Sequence, residues 1–416
     1  MQTLFVGGLV FDGEAPPTPG LAVLVENGLI LRIAPAGEFA GFGGARVDTT
    51  GATLMPGLID AHVHLHLSGD DDANSIWHTG SPADLTLRIL ENAQAALCGG
   101  VTTVRDQGGK DFHELGVRDA INAGRHLGPT IKAAGKVISM TGGHGHYVAW
   151  EADGVDAVVR AVRLNVKAGV DHIKIMATGG ITTPLVDPLA PHLSAEELAA
   201  GVRTAHGLGK PTASHAEGAQ GIRNALAAGI DSIEHGFELD DAIIETMLAQ
   251  GTFLVPTLAA ILHIVEGTGH FPAHVREKAA LFSARHRESF RRYVKAGGKV
   301  AMGTDAGSQQ NFHGENAQEL RLMVEDGLAP LEALRAATAH AADLLRLSDA
   351  GRIREGYRAD LLITDGNPAD DISRVADPAN HRLVLKHGHD AHACLGSTVM
   401  RRRQPHYALP AAGRDR

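Results

Sequence analysis

Six side chains spread along the chain carry the chemistry that the sequence can express: His62, His64, Lys174, His215, His235 and Asp305. His62 and His64 stand two apart in an apolar run, and in a strand that spacing turns both imidazoles to one face. Alone, such a pair in a chain with 24 histidines is as readily a surface feature as a metal clamp. Lys174 is less ordinary. It interrupts His172-Ile-Lys-Ile-Met, where a strand would bury its ammonium, and an unpaired buried charge is costly. Either an acid such as Asp106 pairs with it, or the amine is modified and held by a metal. His215, His235 and Asp305 each end an apolar run, the last in Met302-Gly-Thr-Asp-Ala-Gly. With 24 histidines against two cysteines (Cys98 and Cys394), a metal here would be held by imidazole and oxygen.

Bringing these groups together requires strands whose C-terminal ends meet. Apolar runs at 57–65, 101–106, 130–134, 171–177, 211–215, 232–235, 252–256 and 299–304 predict eight buried strands. Helical patterns at 82–98, 113–123, 155–168, 194–208, 218–228, 240–249 and 272–296 separate them, and 316–325 and 330–345 follow the eighth. Ser194-Ala-Glu-Glu is a capping box, and Gly169, Gly209, Gly229 and Gly251 stand where a helix hands over to a strand. The pattern predicts an α/β fold, a (β/α)8 TIM barrel. An open doubly wound sheet would carry a Gly-rich phosphate loop after its first strand, and this one ends in His-Val-His-Leu. The six groups then fall at the C-terminal ends of strands one, four, five, six and eight, the face where barrel active sites are built. Short strands at 3–10, 22–25, 29–33, 360–364 and 382–386, with Glu26-Asn27-Gly28 as a hairpin turn, predict a small β-sandwich-like domain made from both ends. The expected boundaries are 1–56 and 351–416 for that domain and 57–350 for the barrel.

The 416 residues carry a net charge of −10 and 4% aromatic side chains, which speaks against a nucleic-acid surface of basic stripes and stacking rings. No run approaches the ~20 apolar residues of a membrane span. The start, Met-Gln-Thr-Leu-Phe-Val-Gly-Gly, lacks a basic n-region and a long apolar h-region, so the expected location is the cytoplasm.

The constellation resembles the metal-dependent amidohydrolase superfamily. The motifs that carry it are Met55-Pro-Gly-Leu-Ile-Asp-Ala-His-Val-His, Lys174, His215, Ile233-Glu-His-Gly and Gly303-Thr-Asp. Gly351-Arg-Ile-Arg-Glu-Gly-Tyr-Arg-Ala-Asp-Leu and Asp365-Gly-Asn-Pro resemble the superfamily's return into its small β domain. Gly100-Val-Thr-Thr-Val-Arg-Asp, His144-Gly-His and His215-Ala-Glu-Gly resemble the branch of Xaa-Pro dipeptidases (prolidases) and related carboxypeptidases, with imidazolonepropionase-related sequence. The resemblance implies two zinc ions, one on His62, His64 and Asp305 and the other on His215 and His235, bridged by Lys174 carboxylated with carbon dioxide. It implies hydrolysis of an amide in a dipeptide or N-acyl amino acid by a metal-bridging hydroxide, Asp305 carrying the proton to the leaving amine. It also makes a homo-oligomer the default.

Substrate contacts are expected on the loops at the same face. His144, in Thr141-Gly-Gly-His-Gly-His-Tyr, is the candidate to polarise the carbonyl or to meet a substrate carboxylate, with His146 and Tyr147 behind it. His313 is a further candidate on the loop after strand eight. Glu217 departs from the prolidase pattern, which has Tyr after the His-Ala of strand five. An acid there disfavours an anionic group or favours a basic side chain in the substrate.

Two other readings meet the same residues. A mononuclear deaminase or cyclic amidohydrolase of the superfamily would lack Lys174 and would place its acid three residues after the strand-five histidine, whereas Glu217 lies two after His215. A catalytically silent barrel scaffold would have lost ligands, and all six are present.

Overall fold

Parallel strands alternate with helices through the middle of the chain. The computed structural model describes residues 2–70, 76–266 and 269–395. Its longer parallel strands are β1 (Leu58–Val63), β2 (Val101–Asp106), β3 (Thr130–Ala133), β4 (Ile173–Met176), β5 (Thr212–Ala216), β6 (Ser232–His235) and β7 (Phe253–Val255), and the two-residue strands Ile138–Ser139 and Trp150–Glu151 add to the sheet beside β4. Every residue of β1, β2, β4, β5 and β6 is buried, as expected of parallel strands covered on both faces. β1, β2 and β3 pair in order, and β4 to β7 pair in order within a second sheet. In the second sheet Met176 lies opposite His215 and Ala216 opposite His235.

Backbone hydrogen bonds link the two sheets at both sides. Asp171 N donates to Ala133 O at 2.8 Å. On the other side the segment 299–306 runs between β7 and β1. Leu254 N donates to Lys299 O, Ala301 N to Leu254 O, Ala61 N to Met302 O, and Asp305 N to His62 O at 2.7 Å. The predicted eighth strand therefore occupies its expected place but forms only isolated bridges, at Val300 and Ala306. Thr304 N and Asp305 N share the His62 carbonyl, and Asp305 turns to φ 60°, so the ladder cannot run on.

The longer helices are α1 (Pro82–Cys98), α2 (His113–Asn122), α3 (Val155–Ala168), α4 (Ala195–Gly207), α5 (Ala219–Ala227), α6 (Asp241–Gln250), α7 (Leu258–Glu266), α8 (Ala273–Lys295) and α9 (Gln318–Glu325). Ser81 and Ser194 start α1 and α4 with capping boxes. Helix α7 is apolar apart from His263 and Glu266, and Leu258, Ala259, Ala260, Ile261 and Ile264 are buried. The stretch expected as one helix over 330–345 is two, Pro330–Ala336 and Ala339–Leu344, broken at Thr338. The Ala336 and Ala337 carbonyls accept from Met302 N and Ile59 N instead of continuing the helix.

The two ends of the chain meet in one six-stranded sheet, in which Ala52–Pro56 pairs antiparallel with Leu361–Asp365. A four-stranded sheet from Gln2–Val6, Leu21–Glu26, Leu29–Pro35 and Ala45–Asp48 packs against it. Phe5, Val23, Val25 and Ile30 meet Leu54, Leu361, Ile363 and Leu385 in a shared apolar cluster. The hairpin turn falls at Asn27 and Gly28, both with positive φ, which suits the Asn-Gly pair. Residues 396–416 of the expected C-terminal segment lie outside the described residues. No helix among the described residues is long and apolar enough to cross a membrane.

Candidate active site

The C-terminal ends of the strands open into a cavity of about 430 Å³ lined by His62, His64, Lys174, His215, His235 and Asp305. Asp60 sets the first part of this arrangement. Its carboxyl accepts from His62 N at 3.0 Å, Thr304 Oγ1 at 2.6 Å and Asn316 Nδ2 at 2.7 Å, tying β1 to the 299–306 segment. Asp305 Oδ1 then lies 3.4 Å from His62 Nε2 and 3.3 Å from His64 Nε2. These three residues offer ligand atoms within 4.8 Å of one another, a group that could hold a metal ion. Asp305 and His235, at φ 60° and 72°, are non-glycine residues in the left-handed region, a conformation that costs energy and clusters at functional sites.

One nitrogen of each imidazole is anchored. His62 Nδ1 donates to Glu234 Oε2 at 2.8 Å, His64 Nδ1 to Gly108 O at 3.0 Å, and His215 Nε2 to Gly179 O at 2.7 Å. His235 Nδ1 donates to Thr257 Oγ1 at 2.7 Å, whose own proton goes to Pro256 O. The second nitrogen of each neutral ring keeps its lone pair. The rings of His215 and His235 lie 4.6 Å apart and those of His62 and His235 5.0 Å apart. Burial holds His62, His215 and His235 well below the ordinary histidine range and His64 down to about 4, so all four are neutral at pH 7. Neutral imidazoles anchored through one nitrogen are the form that binds a divalent ion. Burial pushes the Asp305 carboxyl up, and a cation beside it would favour the carboxylate. The donor set fits a divalent metal.

Lys174 is 1% exposed, and no hydrogen bond or ion pair joins its ammonium to another described residue. Burial pulls its pKa down, with Glu234 and Asp305 opposing. Asp106, the acid offered by the sequence as its alternative partner, instead accepts from Leu65 N at 2.8 Å and Gly108 N at 3.0 Å.

His144, Tyr147 and Glu217 also line the cavity. His144 stacks on His215 with centroids 4.3 Å apart, and its Nδ1 meets Thr183 Oγ1 at 2.8 Å. Burial holds His144 down to about 3 and pushes Glu217 well above the ordinary range. His146 is exposed and His313 turns elsewhere; neither lines the cavity. His313 Nε2 donates to Leu67 O at 2.9 Å, holding the loop after β1.

The sequence reading missed Glu234 and Arg105. Arg105 Nη2 donates to Glu234 Oε1 at 2.9 Å and its Nε to Ala61 O at 2.6 Å. The available signal was a charge inside each buried strand, in Val104-Arg-Asp and Ile233-Glu-His. The apolar wall from α7 and α8 was also missed.

Residues 53–390 match the amidohydrolase family model. The ochratoxinase of Aspergillus niger is 32% identical over 425 aligned residues, covering 93% of this chain and 86% of that protein. Its crystal structure superposes with a TM-score of 0.83 at 29% identity, covering 94% of this chain and 95% of the other. The crystal structure of a Xaa-Pro dipeptidase with methionine bound in its active site gives a TM-score of 0.87 at 33% identity, covering 94% and 99%. An imidazolonepropionase of Salinispora arenicola is 25% identical over 397 residues, covering 86% of this chain and 91% of that protein.

Proposed function

The chain belongs to the amidohydrolase family as a hydrolase of carbon–nitrogen bonds, and from that premise we propose that it cleaves an amide in a dipeptide or N-acyl amino acid with two divalent ions, most simply zinc. His62, His64 and Asp305 would hold one ion and His215 and His235 the other. Lys174, carboxylated by carbon dioxide, would serve both as an oxygen ligand. When bound, the ions supply a polarised carbonyl and an acidified water.

The chain's own residues do the rest. Asp305 takes the proton of the attacking water at a carboxylate oxygen and delivers it to the leaving nitrogen. His144 polarises the substrate carbonyl or meets a substrate carboxylate, with its ring fixed by His215 and Thr183. Glu234, Gly108, Gly179 and Thr257 keep the histidine lone pairs pointed inward. Ile261, Phe271 and Val275 exclude water from one side.

In this reading the seven strands and the 299–306 segment act as one (β/α)8 barrel spanning 57–350. The ends 1–56 and 351–416 form a small β-sandwich-like domain, and the protein is a cytoplasmic homo-oligomer. The hydrogen bonds at 133–171 and 299–305 support the barrel.

The observation that carries the reading is Lys174, an unpaired buried lysine among neutral histidines. Zinc-loaded protein in bicarbonate, offered a panel of dipeptides and N-acyl amino acids, should bind two equivalents of metal and release free amino acid. Two bound metals with no release across the panel would defeat amide hydrolysis and favour a cyclic amide.

A further inference from the structure

We propose that Glu217 makes this cavity a site for a cationic group on an apolar stem, so that the substrate brings a basic side chain or amine there and not a carboxylate. The inference deepens the amide-hydrolase reading and, as a statement about substrate, rests on it.

Glu217 directly follows β5, is 3% exposed and lines the cavity. Its Oε1 stands 3.5 Å from His215 Nε2, whose proton already goes to Gly179 O, and its Oε2 has no hydrogen-bond partner among the described residues. Lys278 of α8 is near enough for Glu217 to feel its charge. Its ammonium, however, donates to the Val186 carbonyl at 2.6 Å and the Thr183 carbonyl at 3.1 Å. A buried carboxyl oxygen without a partner is costly, and folded proteins rarely keep one without a use.

The rest of the lining says what would complete it. Lys174 is the single lysine among the described lining residues, and no arginine is among them, so a carboxylate entering near Glu217 finds no basic side chain in the lining set to receive it. In the same lining Ile181, Phe237, Ile261, Ile264, Phe271 and Val275 belong to one apolar cluster. An apolar wall with one acid beside it matches the anatomy of a lysine or arginine side chain, a methylene stem with a charged tip. An arylalkyl amine has the same anatomy. The stem lies on the α7–α8 wall, and the tip gives Glu217 a charge-assisted hydrogen bond, the stronger kind.

The test separates this site from the hydrolysis. 2-Phenylethylguanidine and 2-phenylethylurea have the same shape and differ in charge, and titration calorimetry on the full chain, with and without zinc, reads their affinities. The guanidine should bind wild-type protein roughly tenfold or more tightly than the urea, as one charge-assisted bond implies. Glu217→Gln should level the two. Equal affinities in the wild type, including no binding of either, overturn the proposal without recourse to any variant. So does a preference that survives in Glu217→Gln. Amide release with no preference for L-Leu-L-Lys over L-Leu-L-norleucine sinks the cation site and leaves amide hydrolysis standing. Tight guanidine binding with no amide cleaved sinks the hydrolysis reading and leaves the site.

Discussion

His62 Nδ1 and Glu234 Oε2 lie 2.8 Å apart in the interior, both side chains buried, and the other Glu234 oxygen receives Arg105 at 2.9 Å and Ser232 Oγ at 2.6 Å. The carboxylate can only accept, so the His62 proton sits on Nδ1 and the lone pair on Nε2 faces Asp305. Replacing the carboxylate by an amide keeps the shape and loses that certainty, because an amide can offer a donor instead. Glu234→Gln should weaken the first metal ion about 10- to 100-fold, the usual cost of losing a partner behind a metal-binding histidine. Metal titration of the apo protein checks it, and an unchanged affinity would show that the Glu234 carboxylate does not set the His62 tautomer. Arg105 is left facing a neutral amide in that variant, so chemical denaturation should show a loss of about 3–5 kcal/mol.

Lys174 makes a second prediction. Its neutral amine can add to carbon dioxide, forming an N–C bond and releasing one proton, and burial favours that neutral form. Protein reconstituted with zinc and 13C-bicarbonate should show a carbamate carbon resonance that Lys174→Ala lacks. The same variant should bind one equivalent of zinc in place of two. A variant that keeps both equivalents and full activity would remove Lys174 from the site.

The six residues at the cavity were legible because strands have a period of two and parallel strands put their C-terminal ends together, so His62 and His64 had to share a face. Glu234 and Arg105 were not legible in the same way. A charge inside a buried strand announces that a partner exists, but the partner is 129 positions away and across the structure. Helix α7 escaped because His263 and Glu266 are its only polar side chains, too few to mark a polar face. The run at 299–304 has strand composition, yet its pairing is decided by the turn at Asp305 and by the Ala336 carbonyl, which takes the Met302 N–H. The chain position of His313 points to the substrate loops, whereas its ring holds the Leu67 carbonyl.

A third prediction concerns acid. Lys386 Nζ donates to Asp360 Oδ2 at 2.6 Å and to Thr102 O and Thr130 Oγ1, so one buried pair fastens the C-terminal sheet to β2 and β3. Burial alone would raise the Asp360 carboxyl, but Lys386 and Arg358 outweigh it and hold it below the ordinary range. Burial also pulls Lys386 down despite its partner, so the pair serves more to locate the sheet than to store stability. A carboxyl lower in the folded than in the unfolded state adds stability that is complete above the unfolded value, about 4. That stability is lost as pH falls through the lower, folded value. Denaturation between pH 7 and pH 2 should therefore show an acid-sensitive component that Asp360→Asn with Lys386→Met removes. Lys386→Met alone strands a buried carboxylate and should cost about 3–5 kcal/mol at pH 7, with the double variant recovering much of it. No recovery would mean that the Thr102 and Thr130 bonds matter more than the charge.

Gly303 makes the last prediction, because packing and site meet there. A β-carbon at this position would stand 2.3 Å from Val255 Cγ1, 2.8 Å from His62 Cβ and 3.0 Å from His62 N. The Val255 contact is with a side-chain methyl that can be cut away, while the His62 contacts are with the residue whose Nε2 faces Asp305. Gly303→Ala should lower stability by about 1–3 kcal/mol, as overpacking does, and should weaken the first metal ion by shifting His62. Adding Val255→Ala removes the closest clash and should restore part of the stability, because the methyl is gone. It should not restore metal affinity, because the His62 contacts remain. If stability and metal affinity recover together, the clash acts through β7 alone, and His62 has more freedom than its bonds to Asp60 and Glu234 imply.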